Sequence, residues 1–335
     1  MRDTVVILVI CMIALAACRD RNGDDASPTP ASLDPAASAS PGATSATTAD
    51  AAPSTEVTDP PDGPTGASEL TLDVDGLERT ARLYVPEVLS GEVPLVIGMH
   101  GGFGSGEQFA RSSGFDDLAV AEGFIAVYPN GEGAIPTWNG GRCCGFAARE
   151  DVDDVAFVAA LIDAIAARYP VDLARVYALG HSNGGIMSLR LACELADRIA
   201  AVGAVAGSLE TGECEPSRPL SVVIIHGDAD LNHPLEGGRG SQSVSQVDFT
   251  SVDDSLDLIR PAMGCSDESR GVYPYARYHI ITWFCADGTS VELQVIEGGP
   301  HGWPGGSGIG SDPDSPVDAT QALWEFLSPY AITSP

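Results

Sequence analysis

The chain has 335 residues, with 47 acidic residues against 17 basic ones and a formal net charge of −30 at pH 7. This excess of acid excludes nucleic acid as an expected partner, because contacts with phosphate supply most of the affinity in such complexes. Every basic residue is an arginine, and the strong negative charge is typical of proteins that stay soluble outside the cell or in salt.

Residues 1–18 have the pattern of a bacterial lipoprotein signal peptide. Arg2 precedes an apolar stretch, Val5 to Ala17, that is too short for a stable membrane span. Small residues stand directly before Cys18, as in a lipobox, so Cys18 is the predicted lipidation site and mature N-terminus. The alternative is an ordinary signal peptide and a secreted protein. The lipid anchor is the only contact with the membrane that we expect.

Residues 19–67 contain mainly Ala, Ser, Thr, Pro, Asp and Gly, with almost no large apolar side chain. Such a segment buries too little apolar surface to offset its ordering entropy, so we expect a disordered acidic tether. Residues 68–335 are then predicted to form one catalytic domain, which is long enough for a single large core.

Apolar strands alternate with amphipathic helices through the predicted domain. Strands are predicted at 81–85, 94–99 and 124–128 and near Val176, Val202, Val222 and Val291, and helices at 107–122, 153–169, 183–195 and 318–327. Asp153 or Asp154 is expected to cap the second helix. This alternation predicts an α/β fold, with a mostly parallel sheet covered by helices on both faces.

Three polar residues follow three of these strands in a diagnostic order. Gly180-His-Ser-Asn-Gly184 lies between a strand and a helix, the context in which a G-x-S-x-G serine occupies a sharp exposed turn. An acid, Asp230 or Asp228, follows the strand near Val222, and His301 follows the strand near Val291. This order predicts the α/β-hydrolase fold, with Ser182 as nucleophile, His301 as base and the acid orienting the histidine.

The loop after the acid strand also allows other interpretations. His226, Asp228, Asp230 and His233 are residue types that bind zinc, but their loop position suits a triad acid better, and no metal is expected. His181 is interpreted as a packing neighbour of the serine, and His100 and His279 as structural.

An oxyanion hole and a substrate surface are also predicted. One oxyanion donor is expected to be the backbone N–H of Asn183, and the other to come from Gly102 or, second, Phe103 in the glycine-rich loop after residue 99. Trp138 and Trp303 are candidates to line the substrate cleft, since aromatic faces stack on sugars and phenolic rings.

Six cysteines remain after Cys18, an even number that favours disulfides in an exported domain. Cys193–Cys214 and Cys265–Cys285 are the preferred pairs, because each closes a loop of about 20 residues. For Cys143 and Cys144, a bridge between neighbours and two free thiols both stay open.

With these motifs assembled, residues 70–328 resemble the esterase family that includes polyhydroxybutyrate depolymerases and feruloyl or acetylxylan esterases. The resemblance rests on these segments: His100-Gly-Gly, Tyr128-Pro-Asn-Gly131, Trp138 with Cys143-Cys144-Gly145, Val152-Asp-Asp-Val-Ala-Phe157, Gly180-His-Ser-Asn-Gly-Gly185, His226-Gly-Asp-Ala-Asp230 and His301-Gly-Trp-Pro-Gly305. It implies ester hydrolysis through an acyl-enzyme without a metal or organic cofactor. It also assigns the acid to Asp230, which leaves Asp228 to bond loop backbone.

The leading hypothesis is therefore an extracytoplasmic, monomeric serine carboxylic-ester hydrolase that cleaves small or polysaccharide-linked esters such as feruloyl and acetyl esters. The second is a short-chain polyhydroxyalkanoate depolymerase, which has the same chemistry and a different pocket. A third, from another class, is a non-catalytic surface-binding protein that has kept the triad residues.

Overall fold

The structure is a computed structural model that describes residues 63–285, 287–308 and 310–333. The predicted signal peptide, Cys18 and all but the last five residues of the predicted tether lie outside these described residues. No helix in the described ranges is both long enough and apolar enough to cross a membrane.

A ten-stranded sheet forms the centre of the catalytic region. Its strands are β1 (Gly66–Val74), β2 (Leu77–Val85), β3 (Val93–Met99), β4 (Ile125–Pro129), β5 (Val171–His181), β6 (Ala201–Val205), β7 (Ser221–Gly227), β8 (Cys265–Pro274), β9 (Tyr278–Cys285) and β10 (Ser290–Ile296). The spatial order is β1-β2-β4-β3-β5-β6-β7-β10-β9-β8. The six strands from β4 to β10 are parallel, and the two strands at each edge are antiparallel. The predicted mostly parallel sheet is confirmed.

Helices cover both faces of the parallel strands, as predicted. They are α1 (Gly106–Ser113), α2 (Phe115–Glu122), α3 (Gly145–Arg149), α4 (Asp154–Ala166), α5 (Asn183–Glu194), α6 (Val252–Ala262) and α7 (Ala319–Leu327). The apolar sides of α4, α5 and α6 share one core cluster, and those of α1, α2 and α7 share another. A short pair of strands, β11 (Trp303–Pro304) and β12 (Ser311–Asp312), follows the end of β10.

Several boundaries differ from the sequence prediction. The helix predicted over 107–122 is two helices, because Gly114 adopts a left-handed conformation (φ 74°) that ends α1 and begins α2. Strand β1 begins at Gly66, so the predicted boundary at residue 68 falls inside a strand. The sequence patterns also missed α3, α6, β1, β8 and β9. The predicted cap of α4 is present, since Asp153 accepts a bond from the N–H of Ala156.

A buried ion pair joins β2 to α4 and to the loop between β4 and α3. The Arg79 guanidinium lies 2.7 Å from the Asp154 carboxylate, and both side chains are almost fully buried. The other Asp154 oxygen accepts the backbone N–H of Asn139 at 2.7 Å. Asp154 is thus a structural anchor for the loop that contains Trp138.

Both predicted disulfides are present. Cys193–Cys214 joins the end of α5 to the loop before β7, and Cys265–Cys285 joins the first residue of β8 to the last of β9. The third pair, which the sequence left open, is between the neighbours Cys143 and Cys144, whose peptide bond is cis.

Candidate active site

Ser182 lies on the sharp turn between β5 and α5. Its backbone has φ 54° and ψ −120°, a conformation that costs a residue with a Cβ of order 1–3 kcal/mol. The turn is held by a bond from the Ser182 N–H to the Val205 carbonyl at 2.8 Å. The strained turn lifts the side chain above the carboxyl end of the parallel strands, where it faces a cleft.

The two glycines of the motif are required by close approach of backbone. A Cβ on Gly180 would lie 2.5 Å from the carbonyl group of Gly184. A Cβ on Gly184 would collide with the carbonyl oxygen of Met99 at the end of β3. The spacing of this motif is therefore dictated by the contact between the turn and the neighbouring strand.

Ser182, His301 and Asp230 form a continuous hydrogen-bonded line. The His301 Nε2 atom lies 2.9 Å from Ser182 Oγ, and His301 Nδ1 lies 2.6 Å from Asp230 Oδ2. An ionised carboxylate only accepts hydrogen bonds, so Nδ1 carries the proton and Nε2 is free to accept one from the serine. The structure thus brings together the three residues that the sequence pointed to.

Asp230 is held as a carboxylate by its loop. Its second oxygen accepts the backbone N–H groups of Asn232 and His233, both at 2.8 Å. Burial alone would raise the pKa of Asp230, but the hydrogen bond and charge interaction with His301 and the backbone bond from His233 together lower it below its usual value. The site therefore keeps a negative charge behind the histidine near neutral pH.

The rival acid has a different role. Asp228 accepts the N–H of Gly298 at 2.6 Å and so fixes the start of the loop that carries His301. His226 Nε2 contacts the His233 carbonyl at 2.8 Å, and the His233 ring bonds Ser208 Oγ at 2.7 Å and stacks on Phe249. These polar residues, which also fit a metal-binding pattern, build the wall that supports Asp230.

Two unused backbone donors stand beside the serine. The N–H groups of Gly102 and Asn183 donate to no other atom in the part of the chain that the structure describes. A Cβ placed on Gly102 would lie 3.9 Å from the Asn183 Cβ, so the two residues are neighbours across the cleft. Phe103 was the alternative donor, and this prediction is wrong for the present conformation, because its N–H donates to the Pro136 carbonyl at 2.9 Å.

Trp138 is bonded to the glycine-rich loop after β3, which carries Gly102, and does not line the cleft. Its side chain is 0% exposed, and its indole N–H donates to the His100 carbonyl at 2.9 Å. Its backbone N–H and carbonyl bond the Asn183 side-chain amide at 2.7 and 3.0 Å. The prediction that Trp138 stacks on substrate is wrong, since the ring is used to tie the loop after β3 to the start of α5.

Trp303 is likewise a core residue. It is 1% exposed, packs edge-on against Phe109 and Phe115, and donates its indole N–H to Thr320 at 3.0 Å. It borders a cavity of about 300 Å³ that is also lined by Ser182 and His301, but almost none of the Trp303 surface is accessible. The expectation that it binds substrate is therefore also wrong.

Two buried histidines near the serine are held neutral. Burial lowers the pKa of His100 to about 4, and its ring bridges the Gly101 carbonyl and the Gly131 N–H. Burial and the nearby His301 lower the pKa of His181 to about 3. The His181 ring lies 5.0 Å from that of His301, so a neutral His181 places no positive charge beside the catalytic histidine.

The cleft in front of Ser182 has a volume of about 560 Å³ and is mainly apolar. Its large apolar side chains are Phe103, Ile135, Phe146, Ile186, Val244 and Phe249. Phe103 and Val244 are 60% and 71% exposed, which is unusual for such side chains outside a binding site. Sequence reasoning missed all of them except Phe103. Ile135, Val244 and Phe249 are isolated large apolar side chains in loops, whereas Phe146 and Ile186 lie in the first turns of α3 and α5.

The charged groups of the cleft are few. Arg149, at the end of α3, lines the cleft, and no carboxylate does so among the described residues. This is notable in a chain with a net charge of −30. The Arg149 guanidinium is paired with Glu150, with 3.5 Å between Nε and Oε1, so part of its charge is already compensated beside the cleft.

Comparison with known proteins agrees with this geometry. The family described as "Esterase PHB depolymerase" matches residues 80–230. A protein of Nocardia uniformis subsp. tsuyamanensis designated an esterase, NocK, is 31% identical over 73% of this chain and 76% of its own length. Feruloyl esterase B of Piromyces equi is 32% identical over 62% of this chain, which spans 39% of the fungal protein.

The fold also matches a solved structure. The acetyl xylan esterase from Aspergillus awamori superposes with a TM-score of 0.54 at 15% identity, covering 78% of this chain and 99% of that chain. At this identity the similarity concerns the fold alone.

Proposed function

This chain belongs to the esterase family of α/β-hydrolases that includes polyhydroxybutyrate depolymerases and feruloyl esterases, and we propose that it cleaves esters of aromatic and short-chain carboxylic acids, such as feruloyl and acetyl esters, through an acyl-enzyme on Ser182. The observation that carries the proposal is the line Ser182–His301–Asp230 at the base of an apolar cleft, beside two unused N–H donors.

In the proposed acylation step, the Ser182 hydroxyl attacks the ester carbonyl while His301 Nε2 takes its proton. Asp230, hydrogen-bonded to Nδ1, holds the ring in this tautomer and stabilises the imidazolium that forms. The N–H groups of Gly102 and Asn183 then stabilise the oxyanion of the tetrahedral intermediate, and each such donor contributes about 2.7–4 kcal/mol in comparable sites.

The intermediate collapses when His301 returns the proton to the leaving alcohol. Water enters the same position, His301 deprotonates it, and a second tetrahedral intermediate releases the acid and restores Ser182. Both half-reactions use the same triad and the same two N–H donors.

The lining of the cleft supports an aryl or short acyl substrate. Phe103, Phe146 and Phe249 offer rings for a planar acyl group, and 560 Å³ accommodates a ligand of the size of a phenolic ester. Relatives named feruloyl esterase B and bifunctional acetylxylan esterase/xylanase point in the same direction.

Arg149 favours the second candidate, a short-chain polyhydroxyalkanoate depolymerase. Its guanidinium lines the cleft and is largely exposed, and only its Nε contacts Glu150, so its remaining N–H groups offer a partner for the terminal carboxylate of a 3-hydroxybutyrate oligomer. In this alternative the apolar wall binds the methyl groups of the polyester.

We also place the enzyme outside the cytoplasm. Support comes from the disulfides Cys193–Cys214 and Cys265–Cys285, which persist in oxidising compartments. The sequence of residues 1–18 supports lipidation at Cys18 and attachment to the bacterial membrane. When cells are grown with radiolabelled palmitate, we expect the label in the wild-type protein and none in Cys18→Ser.

The test of the activity is hydrolysis by the purified protein of methyl ferulate, 4-nitrophenyl acetate, 4-nitrophenyl butyrate and a 3-hydroxybutyrate trimer. Ser182→Ala, run beside it, is expected to lose activity by about 10⁴-fold or more while keeping its melting temperature. A preference for methyl ferulate supports an esterase for aromatic acyl groups.

The other outcomes are equally informative. Preference for the hydroxybutyrate trimer, weakened by Arg149→Gln, establishes the second candidate. Activity of Ser182→Ala within tenfold of the wild type refutes Ser182 as nucleophile, and inactivity of the folded wild type on all four esters revives the non-catalytic hypothesis.

A further inference from the structure

The antiparallel end of the sheet has an open face beyond α7. Alternate residues of β9 and β10 point to this face and, with Tyr273, Tyr275 and α7, line a groove of about 600 Å³ that we call the tyrosine groove. The opposite face of β9 is covered, since Trp283 lies beneath the Arg260 guanidinium of α6 at 4.9 Å. Antiparallel strands commonly have one face in water, but that face is normally polar, so an exposed aromatic face requires an explanation.

The aromatic rings of the tyrosine groove are exposed and already arranged. Tyr275 and Phe284 are each 51% exposed, and Tyr273 is 46% exposed. The rings of Tyr275 and Tyr278 are stacked almost parallel, with centroids 4.4 Å apart. A backbone bond from the Tyr275 N–H to the Tyr278 carbonyl closes the turn that carries them. These flat faces are therefore available without rearrangement.

Polar side chains lie between the rings in a fixed row. Thr282 donates to one oxygen of Glu292 at 2.8 Å, and Gln294 donates to the other at 2.9 Å. On the facing helix, Gln321 bonds Glu325 at 2.9 Å. Thr282 and Gln294 are nearly buried, and they orient the partly exposed Glu292 carboxylate. Glu292, Gln321 and Glu325 therefore keep acceptor and donor positions for a ligand rich in hydroxyl groups.

We propose that the tyrosine groove binds a neutral polysaccharide chain. Sugar rings present C–H faces to aromatic rings and hydroxyls to amides and carboxylates, and the groove alternates these two kinds of surface. The inference does not depend on the substrate of the catalytic cleft, because the groove and the cleft share no lining residue.

The negative charge of the tyrosine groove argues against other classes of ligand. The groove contains Glu292, Asp318 and Glu325, and no arginine lines it in the described part of the chain. Nucleic acids, anionic lipids and acidic polysaccharides are repelled by such a surface. A second copy of the chain is opposed as well, since each copy has a net charge of −30. A neutral glycan carries no such penalty.

The test is isothermal titration calorimetry with xylohexaose and soluble arabinoxylan. The protein is the full chain carrying Ser182→Ala, so that no ester is cleaved. Polygalacturonate serves as the acidic comparison and should not bind. Tyr275→Ala and Phe284→Ala, each at a half-exposed position, are expected to weaken xylan binding by about tenfold or more. Leu173→Ala, also half-exposed but outside the groove, is the matched control and should bind as the parent does.

Melting temperatures of all variants establish that they are folded. Binding that is equal in Tyr275→Ala, Phe284→Ala and the parent overturns the proposal, because the glycan then binds elsewhere. Absence of binding by the folded parent, or a concentration-dependent dimer that Tyr275→Ala abolishes, also overturns it. Loss of binding in both groove variants, with the Leu173 control intact, establishes it.

Discussion

Asp228 and Asp230 lie two residues apart in one loop, and their partners separate their roles. Asp230 contacts the imidazole of His301, whereas Asp228 accepts a backbone N–H from the loop that carries His301. Local sequence does not distinguish them, since each follows the same strand. The distinction depends on the position of residues 70 or more places further along the chain.

Replacing each acid with its amide separates the two roles. Asp230→Asn is expected to lower kcat by about 10⁴-fold, because the amide favours the wrong histidine tautomer. Asp228→Asn keeps an acceptor for the Gly298 N–H, so we expect kcat within about tenfold of the wild type. Steady-state kinetics on 4-nitrophenyl acetate give both values. A larger loss in Asp228→Asn than in Asp230→Asn would reverse the assignment.

Trp138 acts at a distance from the substrate, through the loop that carries the oxyanion donor. Its indole holds the His100 carbonyl, and its backbone holds the Asn183 amide, so the two donors are set by one buried residue. Trp138→Phe keeps most of the volume and removes the indole N–H. We expect kcat to fall about tenfold with KM nearly constant, because loosened donors stabilise the transition state less.

The same variant distinguishes the two roles considered for Trp138. If its ring contacted the substrate, KM would rise and kcat would change little. A melting temperature within a few degrees of the wild type is needed to show that the core still packs. Stopped-flow measurement on 4-nitrophenyl acetate then shows whether the rate of acylation, which passes through the oxyanion, has fallen.

At the scale of elements, the break between α1 and α2 depends on one residue. Gly114 is the left-handed residue that ends α1, and its missing Cβ would meet no atom within 4 Å. Substitution there is therefore opposed by the backbone conformation and not by crowding. A continuous helix over 107–122, as the apolar pattern alone predicts, would give the opposite response to substitution.

Gly114→Ala is expected to lower the free energy of unfolding by about 1–2 kcal/mol, because alanine is disfavoured in the left-handed region. In a continuous helix the same change would instead stabilise the protein by about 1 kcal/mol. Urea unfolding decides the sign. Gly114→Asn is the matched control, since asparagine tolerates this conformation, and its loss should be smaller.

The elements that sequence reasoning found and those that it missed differ in how local their signals are. Strands β3, β5 and β7 are apolar runs ending in the motifs that carry the site, and α4 has a long apolar periodicity with a capping aspartate. Strands β8 and β9 mix charged, aromatic and small residues, because one face packs on α6 and the other is open. Each of these two strands is stabilised by pairing with the other, and no short stretch of sequence reveals that pairing.

Side-chain roles were predicted less well than positions. Trp138 and Trp303 were located next to the site correctly, yet both rings are buried by tertiary contacts that the sequence does not specify, with Trp303 packed between α1, α2 and α7. The residues that do form the cleft wall, such as Ile135 and Val244, come from loops between elements. Their conformations follow from tertiary contacts, including the buried Arg79–Asp154 pair.

At the scale of the whole molecule, acidic pH has two opposed effects. A chain with a net charge of −30 repels itself, and protonation of surface carboxylates relieves this repulsion. The buried histidines act in the other direction. His100 and His181 have pKa values of about 4 and about 3 in the folded protein, against 6.5 when exposed. Between about pH 6.5 and 4 the unfolded chain therefore binds protons that the folded chain does not.

The contribution of these histidines to the free energy of unfolding is thus fully present above pH 6.5 and is lost as pH falls. Each histidine loses up to roughly 1.4 kcal/mol per pH unit. The lowered pKa of Asp230 extends the loss to lower pH, as its carboxylate protonates. Because surface repulsion acts equally on wild type and variant, comparing His100→Gln with the wild type isolates one histidine. Urea unfolding at pH 7.5, 6.5, 5.5 and 4.5 should give the variant a shallower dependence on pH by about that amount. Equal slopes would mean that His100 protonates in the folded state as readily as in the unfolded chain.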